Sequence, residues 1–205
     1  MTRPKTDIEP RIVHAARERF LSDGVDGASL RAIARDASTS IGMIYYYFPT
    51  KDDLFLAVVE EVYAVLVADL EKVLAPGSPV EDRLRGAFGR LAKMSDDEVK
   101  VIRLIVREAL VSSSRLGRLL ERFSRGHIAL TFGALAEGIG AGKITDRVHP
   151  AVIMVATLAM GVGSQMVLRI SGERFPVPGV PKGEKLAAQL TDILLHGIAA
   201  ERPNT

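Results

Sequence analysis

Apolar residues recur at helical spacing along nearly the whole chain. In the first 50 residues, a segment that begins near Glu9–Pro10 and stops at Gly24 is followed by two short ones, at about 29–37 and 41–48. Ser29 is a good N-cap for the first short segment, and residues 38–40 form a polar turn between the two. Two short helices joined by such a turn, behind a supporting helix, predict a helix-turn-helix.

Helical patterns also account for the rest of the chain. Thr50 to Asp53 resembles a capping box and opens a long helix with apolar positions every four residues as far as Leu74. Further helices are expected from Ser78–Pro79, with Ser78 as the N-cap, from Ser95 and over 116–135. Two more are expected from Pro150 to about 171 and over 184–200, with a Pro/Gly-rich connector at 172–183. The predicted fold class is all-α, with an N-terminal three-helix domain (1–50) joined by the long helix to a helical domain (51–205).

The second helix of the predicted helix-turn-helix carries four consecutive aromatic residues, YYYF at 45–48. Successive helix positions lie about 100° apart, so these side chains cannot share one face. Phe48 and Ile44, one turn apart, should complete the small core. Tyr46 and Tyr47 should then point outward, where their hydroxyls can meet phosphates, with Tyr45 half packed between the two directions.

The N-terminal end of the same helix is suited to a DNA groove. Thr39 and Ser40 offer hydroxyls for phosphate oxygens, and Gly42 lets a neighbouring backbone approach closely. Met43 offers only apolar contact, for instance to a thymine methyl. The residues alone leave a second interpretation open, in which the tyrosines form a protein interface.

Composition limits the remaining classes. The 205 residues carry a net charge of only +2, so any basic surface must be local. Cysteine is absent, which excludes disulfides and thiolate sites, and the N-terminus lacks the apolar core of a secretory signal, so a cytoplasmic protein is expected. Ala151 to Leu168 carries no charge and approaches transmembrane length, but its small and polar residues favour a buried helix in a soluble oligomer over a membrane span.

No pattern indicates an enzyme. A glycine-rich phosphate loop, a Gly-x-Ser-x-Gly elbow, an HExxH pair and a cysteine nucleophile are all missing from the sequence. His127 and His149 have no second ligand at helical spacing, so no metal site is predicted. No catalytic residue and no cofactor is expected.

The N-terminal quarter of the chain resembles the TetR family of bacterial transcriptional regulators. The family pattern is a helix with Ile–x–x–Ala–Ala–x–x–x–Phe, a glycine, a Thr/Ser-start helix with Ile-Ala, then Gly–x–x–Tyr–x–x–Phe–x–x–Lys–x–x–Leu. The matching positions are Ile12, Ala15, Ala16, Phe20, Gly24, Ser29, Ile33, Ala34, Gly42, Tyr45, Phe48, Lys51 and Leu54. Ser38 departs from the pattern because many members have glycine at the turn, and Met43 departs because a polar residue is frequent there.

The residues themselves and the resemblance together give ten candidates for a DNA surface, of which Gly42 comes from its place in the helix and the other nine have roles that the resemblance implies. Ser29 and Lys51 would bind phosphates, and Arg31 would lie where some members contact a base. Tyr45 would pack and also touch a phosphate. The remaining residues expected against DNA are Thr39, Ser40, Gly42, Met43, Tyr46 and Tyr47.

The resemblance also implies a ligand-binding core and a dimer formed by the last two helices. The pocket is expected among Phe88, Leu91, Ile105, Phe123, His127, Thr131 and Met154. The alternative for each of them is an ordinary position in the hydrophobic core. The dimer interface is expected at Gly161, Ser164, Leu168, Leu190, Ile193 and Leu194.

The predicted protein is a regulator, most simply a repressor, that binds a pseudo-palindromic operator in double-stranded DNA as a homodimer and is released by a small, mostly apolar effector. The alternative is a helical adaptor that keeps the fold without specific DNA binding.

Overall fold

A computed structural model describes residues 7–174 and 178–198, without the side chains of 170–174 and 197–198. All its regular elements are helices, which confirms the all-α prediction. The α-helices are α1 Ile8–Gly27, α2 Leu30–Asp36, α3 Ile41–Tyr47, α4 Lys51–Leu74, α5 Val80–Ala92, α6 Asp96–Val111, α7 Ser113–Ser124, α8 His127–Gly140, α9 Pro150–Leu158, α10 Ser164–Arg174 and α11 Gly183–Ile198.

The chain forms two compact units. The first contains the residues up to Val65 together with Asp96–Glu121, and the second contains Leu66–Ser95 together with the residues from Arg122 onward. The division differs from the predicted boundary at residue 50, because α6 and most of α7 pack with the N-terminal helices. The domain roles assigned to 1–50 and 51–205 therefore stay predictions.

The first unit is held by a small aromatic and aliphatic core. The rings of Phe20 in α1 and Phe55 in α4 meet edge to face with centroids 6.4 Å apart, and Ile33 and Ile44 bring α2 and α3 into the same core. The first helix turns at Gly24, whose φ of 79° is outside the helical range. Gly24 thus ends the regular part of α1, as its position in the sequence predicts.

The start of α4 is fixed by the predicted capping box. The Asp53 carboxylate accepts the backbone N–H of Thr50 at 2.9 Å, and the Thr50 hydroxyl accepts the N–H of Asp53 at 3.1 Å. The two residues satisfy each other's otherwise unpaired donors, so α4 begins at a defined residue.

In the second unit, α5 packs along α11 and against α8, and α8 packs on α9. Arg83 of α5 is buried and donates from Nε (2.9 Å) and Nη2 (2.6 Å) to the carbonyl of Leu74, the last residue of α4. Its Nη1 pairs with Glu137 of α8. One guanidinium therefore caps α4 and links it to two other helices of the unit.

Several predicted helix ends differ from the structure, and two of the differences matter for the packing. The helix expected over 116–135 is broken at Arg125–Gly126 into α7 and α8, so Phe123 and His127 do not share a continuous helix. Pro79 rather than Ser78 is the N-cap of α5, and no side chain bonds the first turn there.

The apolar helix after Pro150 contains a π-helical segment, Ala159–Gly163, between α9 and α10. Pro150–Arg169 is the one helix of the described residues that is long and apolar enough to cross a membrane. Ile153, Met154 and Thr157 on one side of it are buried within the unit, whereas Val152 and Val155 are exposed. One-sided packing of this kind is typical of a core helix with an outward apolar face.

Candidate DNA-binding surface and effector region

The turn between α2 and α3 closes in a conformation that usually requires glycine. The N–H of Ser38 bonds to Arg35 O at 3.0 Å and the N–H of Thr39 bonds to Ala34 O at 2.9 Å, which is the paired arrangement of a Schellman motif. Ser38 has a φ of 51° and is the only non-glycine residue of the described chain with positive φ. The sequence departure at Ser38 is therefore a strained position, while the geometry of the turn is retained.

The three tyrosines of helix α3 differ in how far they are exposed to solvent. Ile44 and Phe48 are buried as predicted, and Tyr46 is exposed over 76% of its surface. Tyr47 is half-buried, with its ring 5.2 Å from that of Tyr46 in an edge-on contact. Tyr45 is 52% exposed, so the predicted roles of Tyr45 and Tyr47 are reversed, and Tyr45 and Tyr46 are the two rings that lie clearly on the outer face.

The N-terminal end of α3 is open on the same side. Ser40 caps the helix by accepting the N–H of Met43 at 3.3 Å. Gly42 is exposed, and a Cβ built there would meet only the Ser40 Oγ, at 3.7 Å. The chain itself therefore gives no reason for a glycine at this helical position, which normally costs about 1 kcal/mol relative to alanine. The open space above Gly42 leaves room for a ligand backbone to approach.

The other predicted DNA contacts border this face. Arg31 is exposed on α2, whereas Thr39 and Met43 are half-buried. Ser29 is exposed and caps α2 through a long 3.5 Å contact with the N–H of Ala32. Lys51 is half-buried, and its Nζ donates to the main-chain oxygen of Asp26 at 3.0 Å, so its ammonium is held in place by the chain before any ligand is bound.

An ion-pair network that the sequence pattern did not indicate lies in the same compact unit. Arg115 of α7 is buried and contacts the carboxylates of Asp26, Asp52 and Glu108. Hydrogen bonds from Arg115 hold the pKa of the Asp26 carboxyl below its ordinary value, against the opposing effect of desolvation. The partners lie 63 and 89 residues before Arg115 for two of these contacts, so no local spacing could have revealed them.

Six of the seven predicted pocket residues belong to the second unit. Phe88, Leu91, Thr131 and Met154 are buried in it. Phe123 and His127 are half-buried, with ring centroids 5.2 Å apart despite the break between their helices. Ile105 is half-buried and belongs to the first unit.

Two polar residues of this region, His127 and Thr131, have a defined protonation state and a defined hydrogen bond, respectively. Burial, with the nearby charge of Arg122, lowers the pKa of His127 to about 4, so its imidazole is neutral at pH 7. The Thr131 hydroxyl donates to the His127 carbonyl at 2.7 Å within its own helix. The residues can thus offer apolar contact and a neutral imidazole, but the geometry does not identify a ligand.

The predicted interface residues differ in how far they are exposed to solvent. Ile193 is 62% exposed, and Ser164, Leu168 and Leu190 are half-buried. Gly161 and Leu194 are buried within their own unit. A Cβ at position 161 would lie 2.9 Å from the Leu91 Cδ1, so the close approach that this glycine allows is to α5 of the same chain and not to a partner. The prediction for these two residues is corrected accordingly.

Comparison with known proteins agrees with this geometry. Residues 12–58 match the model of the bacterial regulatory proteins of the tetR family. The fatty acid metabolism regulator protein of Bacillus subtilis is 21% identical over 136 residues, covering 66% of this chain and 70% of that protein. The transcriptional repressor SCO4008 of Streptomyces coelicolor is 28% identical over 151 residues, covering 73% and 74%.

Solved structures share the fold. A TetR-family regulator from Mesorhizobium loti superposes with a TM-score of 0.66 at 24% identity, covering 98% of this chain and all of that one. The regulator FadR of Bacillus subtilis, in complex with stearoyl-CoA, gives a TM-score of 0.71 at 18% identity, covering 92% and 98%.

The helix-turn-helix, its exposed aromatic face and the named regulators that this chain resembles identify a DNA-binding transcriptional regulator. Its N-terminal segment carries the pattern of one family throughout, from Ile12 to Val58. Residues 12–58 thus form a segment similar to the DNA-binding domain of the tetR family of bacterial regulatory proteins.

Proposed function

We propose that the protein is a repressor that binds a pseudo-palindromic operator as a homodimer and leaves it when a small, mostly apolar effector binds. The observation that carries the DNA-binding part is the outer face of α3, where Gly42 has open space above it and Tyr46 is largely exposed. A backbone that approaches a major groove needs such a gap, and the tyrosine hydroxyls suit the flanking phosphates. The repressor assignment is supported by the description of the Streptomyces relative.

The homodimer is supported by three exposed apolar residues in the second unit, Val152 and Val155 on α9 and Ile193 on α11. Two-fold symmetry of such a contact would place two recognition helices about 34–36 Å apart, or a multiple of that, to match successive major grooves. Such a protein acts where chromosomal DNA lies, so we infer a cytoplasmic location.

For the effector, we propose a molecule with an apolar chain that contacts the region of Phe88, Phe123 and Met154. The neutral imidazole of His127 can hydrogen-bond a polar end without supplying a charge. To move occupancy from mostly bound to mostly released, the effector must prefer the released form by about 10⁴-fold, or about 5.5 kcal/mol. Stearoyl-CoA is a suitable first probe because the Bacillus subtilis FadR structure contains it.

The DNA-binding proposal is tested by fluorescence anisotropy with labelled duplexes that flank the gene and with scrambled controls, at 50–200 mM salt. Sequence-preferring binding whose logarithm falls linearly with the logarithm of salt concentration is expected. Gly42→Ala should stabilise α3 by about 0.5–1 kcal/mol and yet weaken operator binding, because the added methyl occupies the gap. Equal, weak binding to both duplexes, unchanged in the variant, would favour the helical adaptor instead.

The effector proposal has its own test. Stearoyl-CoA and free stearate are titrated into the preformed operator complex, and loss of anisotropy is followed for the wild type and for Met154→Lys, which places a charge in the apolar region. We expect release of the wild type and a weaker response of the variant. Operator binding that no apolar-chain probe alters would contradict the proposed effector class.

A further inference from the structure

Arg115 lies in α7, far along the chain from the helix-turn-helix, yet its guanidinium contacts both segments that flank this motif. Its Nε donates to Asp52 Oδ1 at 2.9 Å, in the first turn of α4. Its two terminal nitrogens form a bidentate pair with Asp26, in the segment between Gly24 and α2, with Nη1 at 3.2 Å from Oδ2. A single planar cation thus joins the entry to the motif with its exit.

Both carboxylates stand next to groups expected to bind phosphate. Asp52 directly follows Lys51, and Asp26 precedes Ser29 by three residues. The main-chain oxygen of Asp26 also accepts the Lys51 Nζ at 3.0 Å. Asp26 therefore holds the guanidinium of Arg115 with its side chain and the ammonium of Lys51 with its backbone.

The guanidinium has little freedom to move. Glu108 of α6 is buried, accepts Nη1 of Arg115 at 2.8 Å and also accepts the backbone N–H of Val25 at 3.2 Å. Arg118, one turn further along α7, donates to Asp53 Oδ1 at 2.5 Å, next to Asp52. Contacts from α6 and α7 thus fix both flanking segments at the same place.

We propose that Arg115 is a positioning residue for DNA binding, which sets the distance between Lys51 and Ser29 and so the spacing of the phosphates that they bind. Arg115 does not touch DNA in this scheme, because it lies buried beneath the two acidic residues that it holds. The inference rests on the proposed DNA-binding function and adds a residue outside the helix-turn-helix to it.

The test compares Arg115→Lys with the wild type, because lysine keeps the charge but lacks the fork that binds two carboxylates at once. With net charge unchanged, we expect operator affinity to fall about tenfold, as for the loss of one charge-assisted hydrogen bond. The slope of log K against log salt should also fall by about 0.9, the value for one phosphate contact. In a Lys51→Ala background, Arg115→Lys should cost little more, because the two residues act through the same contact.

A purely structural role predicts a different result. If Arg115 only supports folding, Arg115→Lys would lower the fraction of protein that can bind the operator but leave the slope of log K against log salt unchanged. The effects of Arg115→Lys and Lys51→Ala on operator affinity would then add. Either finding overturns the proposal. If the wild type prefers its operator and Lys51→Ala weakens binding while Arg115→Lys does not, this inference alone fails. If the wild type shows no sequence preference, the proposed function fails and this inference fails with it.

Asp26→Asn provides a second route should Arg115→Lys not fold. It removes a negative charge near the DNA, which by itself should strengthen binding, but it also weakens the bidentate pair with Arg115. We expect weaker binding, in contrast to Asp23→Asn, which removes a charge three residues away that pairs with Ser22 instead. Equal strengthening by both substitutions would overturn the proposal.

Discussion

Two residues of the helix-turn-helix are not the residue types that local backbone stability would favour. Ser38 occupies a left-handed position with a φ of 51°, and Gly42 occupies a helical position that would accept a side chain. The first residue carries strain without an evident local gain, and the second gives up helix stability. Both lie within the same short motif, which indicates that stability there is secondary to the surface it forms.

Ser38→Gly should raise the free energy of unfolding by up to about 1 kcal/mol, because glycine adopts a positive φ without the Cβ clash, partly offset by its greater freedom when unfolded. Urea denaturation measures the change. Ser38→Ala is the matched control, since it removes the hydroxyl but keeps the Cβ. An equal gain from alanine would show that the hydroxyl, rather than the backbone angle, is responsible.

His127 should make stability depend on pH. Its folded-state pKa of about 4 lies below the ordinary 6.5, so between these values the unfolded chain binds a proton that the folded chain does not. Stability is therefore fully present above about pH 6.5 and falls as the pH is lowered, by about 2 kcal/mol from pH 7 to pH 5. Urea denaturation of the wild type and of His127→Gln at both pH values isolates this contribution. An identical pH dependence in both proteins would contradict the prediction.

Helices were predictable from the sequence wherever their ends depend on local contacts. The N-cap bonds of Ser29 and Ser40 and the reciprocal bonds of Thr50 and Asp53 join residues only three positions apart, so α2, α3 and α4 begin where the pattern predicts. The break at Gly126 and the π-helical segment have no such local signal, since continuous apolar spacing runs through both. The ion pairs of Arg115 were not predictable for the same reason, since its partners come from distant parts of the chain.

Arg83 shows how much one helix end can depend on a distant side chain. Arg83→Met should lower the free energy of unfolding by about 2–3 kcal/mol, because the carbonyl of Leu74 loses both of its buried donors. Arg85→Met, on the same helix, removes a half-exposed side chain with two long ion pairs and should cost less than about 0.5 kcal/mol. Thermal or urea denaturation compares the two, and similar losses would contradict the capping role.

At the scale of the whole molecule, the proposed function needs a second copy of the chain, and the sequence alone indicates only part of the surface proposed for that contact. The uncharged stretch Ala151–Leu168 predicted an apolar face, but only the structure separates Val152 and Val155, which are exposed, from Gly161, which packs on its own unit. The separation depends on which side of the helix meets α5, and that is a property of tertiary packing.

If the proposed dimer forms through this face, Ile193→Asp should convert it into a monomer and weaken operator binding, because burying an unpaired charge in an apolar contact is costly. Sedimentation velocity over a range of protein concentrations measures the first effect. Val106→Asp introduces the same charge on α6, at a site that is 47% exposed, and should leave the dimer intact. Dissociation by both variants, or by neither, would place the interface elsewhere.

The π-helical segment Ala159–Gly163 affects how the chain should be aligned with its relatives. Val155 and Val167 are twelve residues apart, which on a regular α-helix would turn their side chains about 120° away from each other. One residue taken up by the π turn leaves eleven, about 20° from three whole turns, and both valines are exposed. A π turn is thus equivalent to a one-residue insertion. A relative with a regular α-helix here should align with a single gap between positions 159 and 163, and with its outward residues in the same order on either side.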